Sequence, residues 1–378
     1  MKHSSKLLMV IASSMLLAAC GGGNAENFNE KVAKAVVDKT AIAIWADEGS
    51  PIQQRLTNST AGAHAPILAT KFAVKVDGKT YKTTIKWDGV DGEKWKPYEF
   101  DEDHVVVIPT RPGKGGESLA ATFTPKITYE DATVEGKPYS FVCDPYDVDP
   151  IDRTLAQFVE DYYVNKTIKD KTAVRTKGVI TFMSPDNSSV IVQDGMNAVQ
   201  LYKSSAFSTF YQKGASISVV GSIKNYSGLE YDPVLDVSPT DKLEAPGKFD
   251  PTSENIEAFR EEAKAGNWSH ALIEVNEELE VAKAPTKKSD GTVDTLYLKA
   301  KDGDSEIALY TKAGFAGSDG IKEISDIFDD LLPGDKILFR GSLTYYGSKD
   351  LVEANIYSAD DLEVTYLTPR EESSEQSA

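Results

Sequence analysis

Lys213-Gly214-Ala215-Ser216-Ile217-Ser218-Val219-Val220-Gly221-Ser222-Ile223-Lys224-Asn225-Tyr226-Ser227-Gly228 recurs later as Pro333-Gly334-Asp335-Lys336-Ile337-Leu338-Phe339-Arg340-Gly341-Ser342-Leu343-Thr344-Tyr345-Tyr346-Gly347-Ser348. Gly214, Gly221, Tyr226 and Asp241 fall on Gly334, Gly341, Tyr346 and Asp361 without a gap. Each copy reads as a Gly turn, an apolar strand bent at a second Gly, an aromatic-Gly/Ser turn and a returning strand. A match of this length without insertion is an internal duplication, and it organises everything after residue 170.

The repeat continues upstream. Val192-Gln193-Asp194-Gly195 followed by Val199-Gln200-Leu201-Tyr202 matches Lys299-Ala300-Lys301-Asp302-Gly303 followed by Ile307-Ala308-Leu309-Tyr310. Before these, Gly178-Val179-Ile180-Thr181-Phe182 corresponds to Leu272-Ile273-Glu274-Val275, both with strand periodicity. A helical spacing precedes each copy: Leu155, Phe158, Val159 and Tyr162 in the first, Ile256, Phe259 and Ala263 in the second. The second copy has a longer first hairpin, residues 283–295, and an amphipathic insertion through Ile324, Phe328, Leu331 and Leu332. Five strands with a helical segment between the third and fourth predict a small Greek-key barrel. The strand, Asp-Gly turn, strand ending in Tyr, and then the Lys-Gly to Tyr-Ser-Gly stretch resemble the OB-fold, in particular OB-like modules of secreted and surface bacterial proteins. The resemblance implies two such barrels, residues 152–245 and 252–367, each preceded by a short helix.

Upstream, from Pro66, the pattern is also β. Phe72, Val74 and Val76 alternate, Asp77-Gly78 turns, and Tyr81, Thr83, Ile85 and Trp87 alternate again, which predicts a hairpin. Strands are expected through Val105–Ile108, Leu119–Phe123 and Tyr139–Cys143. Thr84-Ile85-Lys86-Trp87, Thr110-Arg111-Pro112-Gly113 and Leu119-Ala120-Ala121-Thr122-Phe123 resemble the atrophied bacterial immunoglobulin-like domain. That resemblance covers residues 64–144 and implies a β-sandwich around a buried Trp87. The fold class expected is therefore mainly β: an immunoglobulin-like sandwich followed by two OB-like barrels. Between them, Asp144-Pro145 to Asp149-Pro150 and Pro246 to Pro251 read as linkers. Asn29 opens a helical stretch through Val37, Ala41 to Trp45 reads as a strand, and residues 368–378 as a disordered tail.

The N-terminus is of another kind. Lys2, His3 and Lys6 precede an apolar run, Leu7 to Leu17, that closes with Leu17-Ala18-Ala19-Cys20 and Gly21-Gly22-Gly23. This resembles the bacterial lipobox. It implies a signal peptide over residues 1–20, cleavage before Cys20, a diacylglyceryl thioether on its sulfur and N-acylation, with the chain held on a membrane outside the cytoplasm. With Cys20 lipidated only Cys143 remains, so no internal disulfide forms, and Cys143 reads as a small core residue.

The polar residues argue for binding over catalysis. Four His include His3 in the signal, while His64, His104 and His270 sit in separate segments. There is no His-x-x-x-His, Cys-x-x-Cys, Gly-x-Ser-x-Gly or phosphate-loop pattern. Asp302, Asp304 and Glu306, or Asp326, Asp329 and Asp330, do not have the spacing of a calcium loop. No cofactor and no metal is expected. An OB-fold takes ligands on the face of its second and third strands, which makes Phe182, Tyr202, Lys203, Lys224, Tyr226 and Tyr231 the candidates in the first barrel. Tyr310, Tyr345 and Tyr346 are those of the second, with Tyr297 a further aromatic. Tyr226 and Tyr346 sit in turns and should be exposed. The net charge of −18 is concentrated in the second copy, so nucleic acid is not expected to bind there, and at most weakly to the first copy through Lys203, Lys224 and Tyr226. The expected function is a non-catalytic binder of an oligosaccharide, a peptide or protein surface, or another polymer. The alternatives are an accessory or scaffold subunit of an extracellular enzyme such as a nuclease, or nucleic-acid binding by the first module.

Overall fold

The computed structural model describes residues 27–39, 42–45, 55–56, 66–185, 188–202, 210–225, 228–244, 248–264, 271–289, 293–311 and 313–367. The signal segment with Cys20, the turn residue Tyr226, Lys203 and the C-terminal tail lie outside these residues. The described chain is mainly β.

Asn27 caps α1 (Phe28–Val37), its side chain accepting the amide hydrogen of Asn29 at 3.1 Å. Ten strands follow: β1 (Ala43–Trp45), β2 (Arg55–Leu56), β3 (Pro66–Ala69), β4 (Lys71–Val76), β5 (Lys79–Asp88), β6 (Trp95–Asp101), β7 (His104–Pro109), β8 (Leu119–Tyr129), β9 (Ala132–Glu135) and β10 (Tyr139–Cys143). They make two sheets, β1-β3-β7-β6 and β2-β10-β8-β5-β4, with β9 added on β8. The β4–β5 hairpin turns on Asp77 (φ 48°) and Gly78 (φ 82°), the two left-handed positions that an Asp-Gly pair supplies.

The sheets meet around an indole, and it is Trp95, not Trp87. Trp95 is 2% exposed and presents its edges to Phe123 and Phe141 of the other sheet, with ring centroids 5.5 and 5.0 Å away. Trp87 is only half-buried, and its Nε1 donates to the Ala69 carbonyl at 2.7 Å. The reason is register: Trp87 lies near the end of β5, opposite Pro125, whereas Trp95 opens β6 over the middle of the facing sheet. Cys143 is buried, and burial pushes its thiol up to about 12, which leaves it inert at neutral pH.

Next come β11 (Ile151–Asp152), α2 (Leu155–Tyr163), β12 (Ala173–Met183), β13 (Ser189–Asp194), β14 (Asn197–Tyr202), β15 (Ser216–Asn225) and β16 (Leu229–Pro239). The sheet runs β12-β13-β14-β16-β15 and returns from β15 to β12, closing a five-stranded barrel. A capping box between Thr154 and Gln157 starts α2, whose Phe158 ring stacks on Tyr231 at 5.6 Å. Tyr231 in turn lies on Gly221: a Cβ there would sit 2.1 Å from the ring, so this repeated glycine is required by close approach.

The second half holds β17 (Lys248–Phe249), α3 (Ser253–Lys264), β18 (Leu272–Val275), β19 (Leu279–Lys287), β20 (Val293–Lys299), β21 (Glu306–Tyr310), α4 (Ala313–Asp329), β22 (Lys336–Tyr346), β23 (Leu351–Asn355) and β24 (Leu362–Thr365). Its first strand is broken into β18 and β19, both paired to β22, and β23 closes back on β22, giving the same cyclic order. Leu272 pairs with Ser342 as Ala173 pairs with Ser222, so β18 matches the start of β12 and not Gly178–Phe182, whose place is taken by β19. A short strand follows the first linker and another lies within the second. Ile151 pairs in parallel with Val174, and Lys248 with Glu274, so each barrel is entered by the same short strand and helix. The repeat also has a gap. Asn225 pairs with Leu229, but Tyr345 pairs with Val352, so the second hairpin turn is three residues longer and Asp241 is not the counterpart of Asp361. Asp361 instead accepts from Nε of Arg340 at 2.8 Å.

One buried polar joint connects the sandwich to the first barrel. The Arg111 guanidinium lies over the Tyr146 ring at 4.7 Å, donates from Nε to the Asp144 carbonyl at 2.9 Å and from Nη1 to the Leu235 carbonyl at 3.3 Å. It also faces Asp236 at 3.5 Å, and the Tyr146 hydroxyl donates to the same carboxylate. Burial raises the Asp236 carboxyl above its ordinary range, and Arg111 opposes that shift.

Truncating Trp95 to Ala is expected to cost about 3–5 kcal/mol in urea unfolding, as large buried aromatics do. Trp87→Ala should cost distinctly less, and equal losses would contradict the assignment of the core.

Candidate ligand-binding faces of the two barrels

In a closed barrel, alternate residues of each strand point inward and outward. In the first barrel Val190, Val192, Val199 and Leu201 belong to the core, so Ile191 and Gln193 of β13 and Ala198 of β14 face outward. These outward positions are not open. Phe182, Ile191 and Ala198 form one buried cluster with Ala271, Leu272 and Tyr357 of the second barrel. Phe182 stacks on Tyr357 with centroids 3.8 Å apart.

At the middle of this seam lies Gln193, fully buried. Its Oε1 accepts from the Leu272 amide at 2.7 Å and from the Thr181 hydroxyl at 3.0 Å. Its Nε2 donates to the carbonyls of Leu272 at 2.8 Å and Gly195 at 2.8 Å. The carboxamide thus treats Leu272 as a neighbouring strand would, and all of its own hydrogen-bonding groups are used. Lys213 adds to the seam near Arg340 and Asp361, and burial pulls its ammonium below the ordinary range.

The corresponding face of the second barrel follows from register. Gln193 pairs with Ala198 and Ile191 with Gln200; Lys299 pairs with Glu306 and Tyr297 with Ala308. Phe182 pairs with Ile191 as Lys283 pairs with Tyr297. So Phe182, Ile191, Gln193 and Ala198 in the first barrel become Lys283, Tyr297, Lys299 and Glu306 in the second, and Gln193 corresponds to Lys299 and not to Lys301 as the sequence match had it. The first set is buried; in the second Lys283 is exposed and Tyr297, Lys299 and Glu306 are half-buried. The Lys283 ammonium sits 3.7 Å over the Tyr297 ring and 3.1 Å from Glu306, and Lys299 lies 4.0 Å from Glu280. Tyr310, opposite Thr295, extends the face.

The candidates read from sequence are therefore dispersed. Phe182 is in the seam and Tyr231 is in the core, so neither meets solvent. Tyr202 is half-buried, with Lys224 6.0 Å over its ring and Lys224 paired to Asp232 at 2.9 Å. Tyr345 donates to Asp350 at 2.8 Å in the turn beside α3, where Lys264 holds the same carboxylate at 3.0 Å. Tyr346 is exposed, with Lys349 5.6 Å over its ring. Only Tyr310 shares the open face with Tyr297. Gln193, Leu272, Tyr357, Lys283 and Lys299 were not among the sequence candidates, and Glu306 was weighed only for calcium; the signal was the change of residue type at matched outward positions of the two copies. Among the described residues no group of three or more His, Cys, Asp or Glu is arranged to hold a metal ion.

No family model and no curated protein matches the chain. Solved structures do. A murine DNA-binding protein bound with double-stranded DNA is 12% identical, covers 53% of this chain and 99% of its own, with a TM-score of 0.28. The single-stranded DNA-binding protein from Thermus aquaticus is 14% identical, over 53% of this chain and 95% of its own, with a TM-score of 0.18. A Drosophila Unr fragment, CSD456, is 9% identical over 88% and 100%, with a TM-score of 0.19.

Replacing Gln193 by Leu should strand the amide and carbonyl of Leu272, costing about 1–3 kcal/mol for each group left unpaired. Hydrogen exchange at the Leu272 amide reads this directly, and an unchanged exchange rate would contradict the clamp.

Proposed function

We propose that the chain is a non-catalytic binding protein, lipid-anchored at Cys20 outside the cytoplasm, with residues 64–144 as an immunoglobulin-like spacer. Two OB-like modules, residues 152–245 and 252–367, carry the binding function. The first presents its strand-two and strand-three face to the second, and the second presents its own to the ligand. The observation that carries this reading is the matched change at four outward positions, from Phe, Ile, Gln and Ala in a covered face to Lys, Tyr, Lys and Glu in an uncovered one.

The ligand class follows from the charges. Lys283 and Lys299 each have a carboxylate within 4.0 Å, so the face has little unpaired positive charge for a phosphate backbone. Tyrosine rings among paired charges suit a neutral, hydroxyl-rich polymer such as an oligosaccharide, which packs on the rings and shares hydrogen bonds with the flanking polar groups. Attachment to a membrane is assigned to a lipid on Cys20, which the Leu17-Ala18-Ala19-Cys20 motif implies.

Two measurements test the parts separately. The full chain is presented to immobilised oligosaccharides, peptides and single-stranded oligonucleotides. A carbohydrate ligand should be recovered, weakened about tenfold by Tyr297→Ala and unaffected by Lys224→Ala on the first barrel. Salt-sensitive oligonucleotide binding that survives Tyr297→Ala would overturn the ligand assignment. Independently, Cys20→Ser should abolish incorporation of labelled fatty acid, and a variant that remains labelled would sink the anchor.

A further inference from the structure

Strands β4, β5 and β8 have one face in the core, through Val74, Ile85, Phe123 and Ile127. The opposite face is exposed and unusually basic for a chain of net charge −18. Register puts Lys71 and Lys75 of β4, Lys82 and Lys86 of β5 and Lys126 of β8 on it, separated by threonines such as Thr84 and Thr128. Lys86 stands directly across from Lys126. On its other side Lys126 faces Glu135 of β9, so the lysines left without a facing carboxylate are those of β4 and β5. Lys126 is held by Asp88 at 2.6 Å and Lys82 by Asp103 at 2.9 Å. Lys71 donates to the Glu102 carbonyl at 3.2 Å, and among the described residues no carboxylate pairs with Lys71, Lys75 or Lys86.

We propose that this lysine face docks the sandwich on an anionic lipid surface. The face is an open sheet, and none of its residues is aromatic. Single-strand binding would call for stacking rings and a groove. Flexible ammonium groups spread over three neighbouring strands match a plane of lipid phosphates instead. Screening over about 8 Å at physiological salt lets the nearest face govern attraction even though the whole chain is acidic. The inference is independent of the ligand face on the second barrel and of lipidation at Cys20.

The test uses the full chain carrying Cys20→Ser, purified without lipid, and co-sedimentation with phosphatidylcholine vesicles that contain or lack phosphatidylglycerol. Binding is expected only with phosphatidylglycerol and should fall as salt rises. Each lysine removed should weaken it about fivefold, and Lys71→Gln, Lys75→Gln and Lys86→Gln together about a hundredfold. Equal recovery on both vesicle types, no recovery on either, or a triple variant with an unchanged melting temperature that still binds like the parent would each overturn the proposal. Capture of single-stranded oligonucleotide through the same lysines, without vesicle binding, would overturn it in favour of a soluble polyanion.

Discussion

A buried glutamine side chain carries four hydrogen bonds, and the relation between the two barrels depends on it. The Gln193 carboxamide meets both backbone groups of Leu272 and is completed by Thr181 and Gly195. An amide taken out of water is tolerated only when its donors and acceptors find partners, and here the partners come from both barrels. The stack of Phe182 on Tyr357 seals one side of this bond set from solvent. The positions covered in this way, Phe182, Ile191, Gln193 and Ala198, are closed to a ligand.

That constraint explains why two copies of one unit have diverged where they have. Positions that hold the fold remain alike: Gly221 and Gly341 both lack room for a Cβ, the first beneath Tyr231 and the second 2.7 Å from the Asn355 carbonyl. Both barrels are entered by a two-residue parallel strand and a helix, and both close in the same order. The outward positions differ in kind. Phe182 and Ile191 are apolar because another barrel covers them, while Lys283 and Tyr297 are amphipathic because water does. Lys299 in place of Gln193 has donors only, so the second face cannot clamp an incoming strand as the first one does.

Much of the fold was legible because it rests on local rules. Asp77-Gly78 demanded a two-residue turn, period-two alternation marked β4, β5 and β8, and helical spacing marked Phe158 and Ile256. What was not legible depends on distant partners. Local pattern favours Trp87, which ends an alternating strand, over Trp95, which lies between Lys94 and Lys96, and only the register of two sheets encloses the second. Gln193, in an otherwise apolar strand, gave no sign that its neighbour would be Leu272, seventy-nine residues away. Tyr231 looked like a ligand-facing aromatic because strand alternation does not reveal that α2 lies over it. The duplicated hairpins match at Gly214, Gly221 and Tyr226 without a gap in the sequence, yet the second turn absorbs three more residues, which shifts the returning strand.

Hydroxyl-radical footprinting of the native full chain, read residue by residue in a mass spectrometer, tests the asymmetry of the two faces most directly. Tyr297 should be oxidised readily, while Phe182 and Tyr357, which are 6% and 8% exposed, should be protected until the protein unfolds. Phe182 and Tyr357 reacting as fast as Tyr297 in the folded chain would show that the first face is open, and the division of roles between the barrels would not stand.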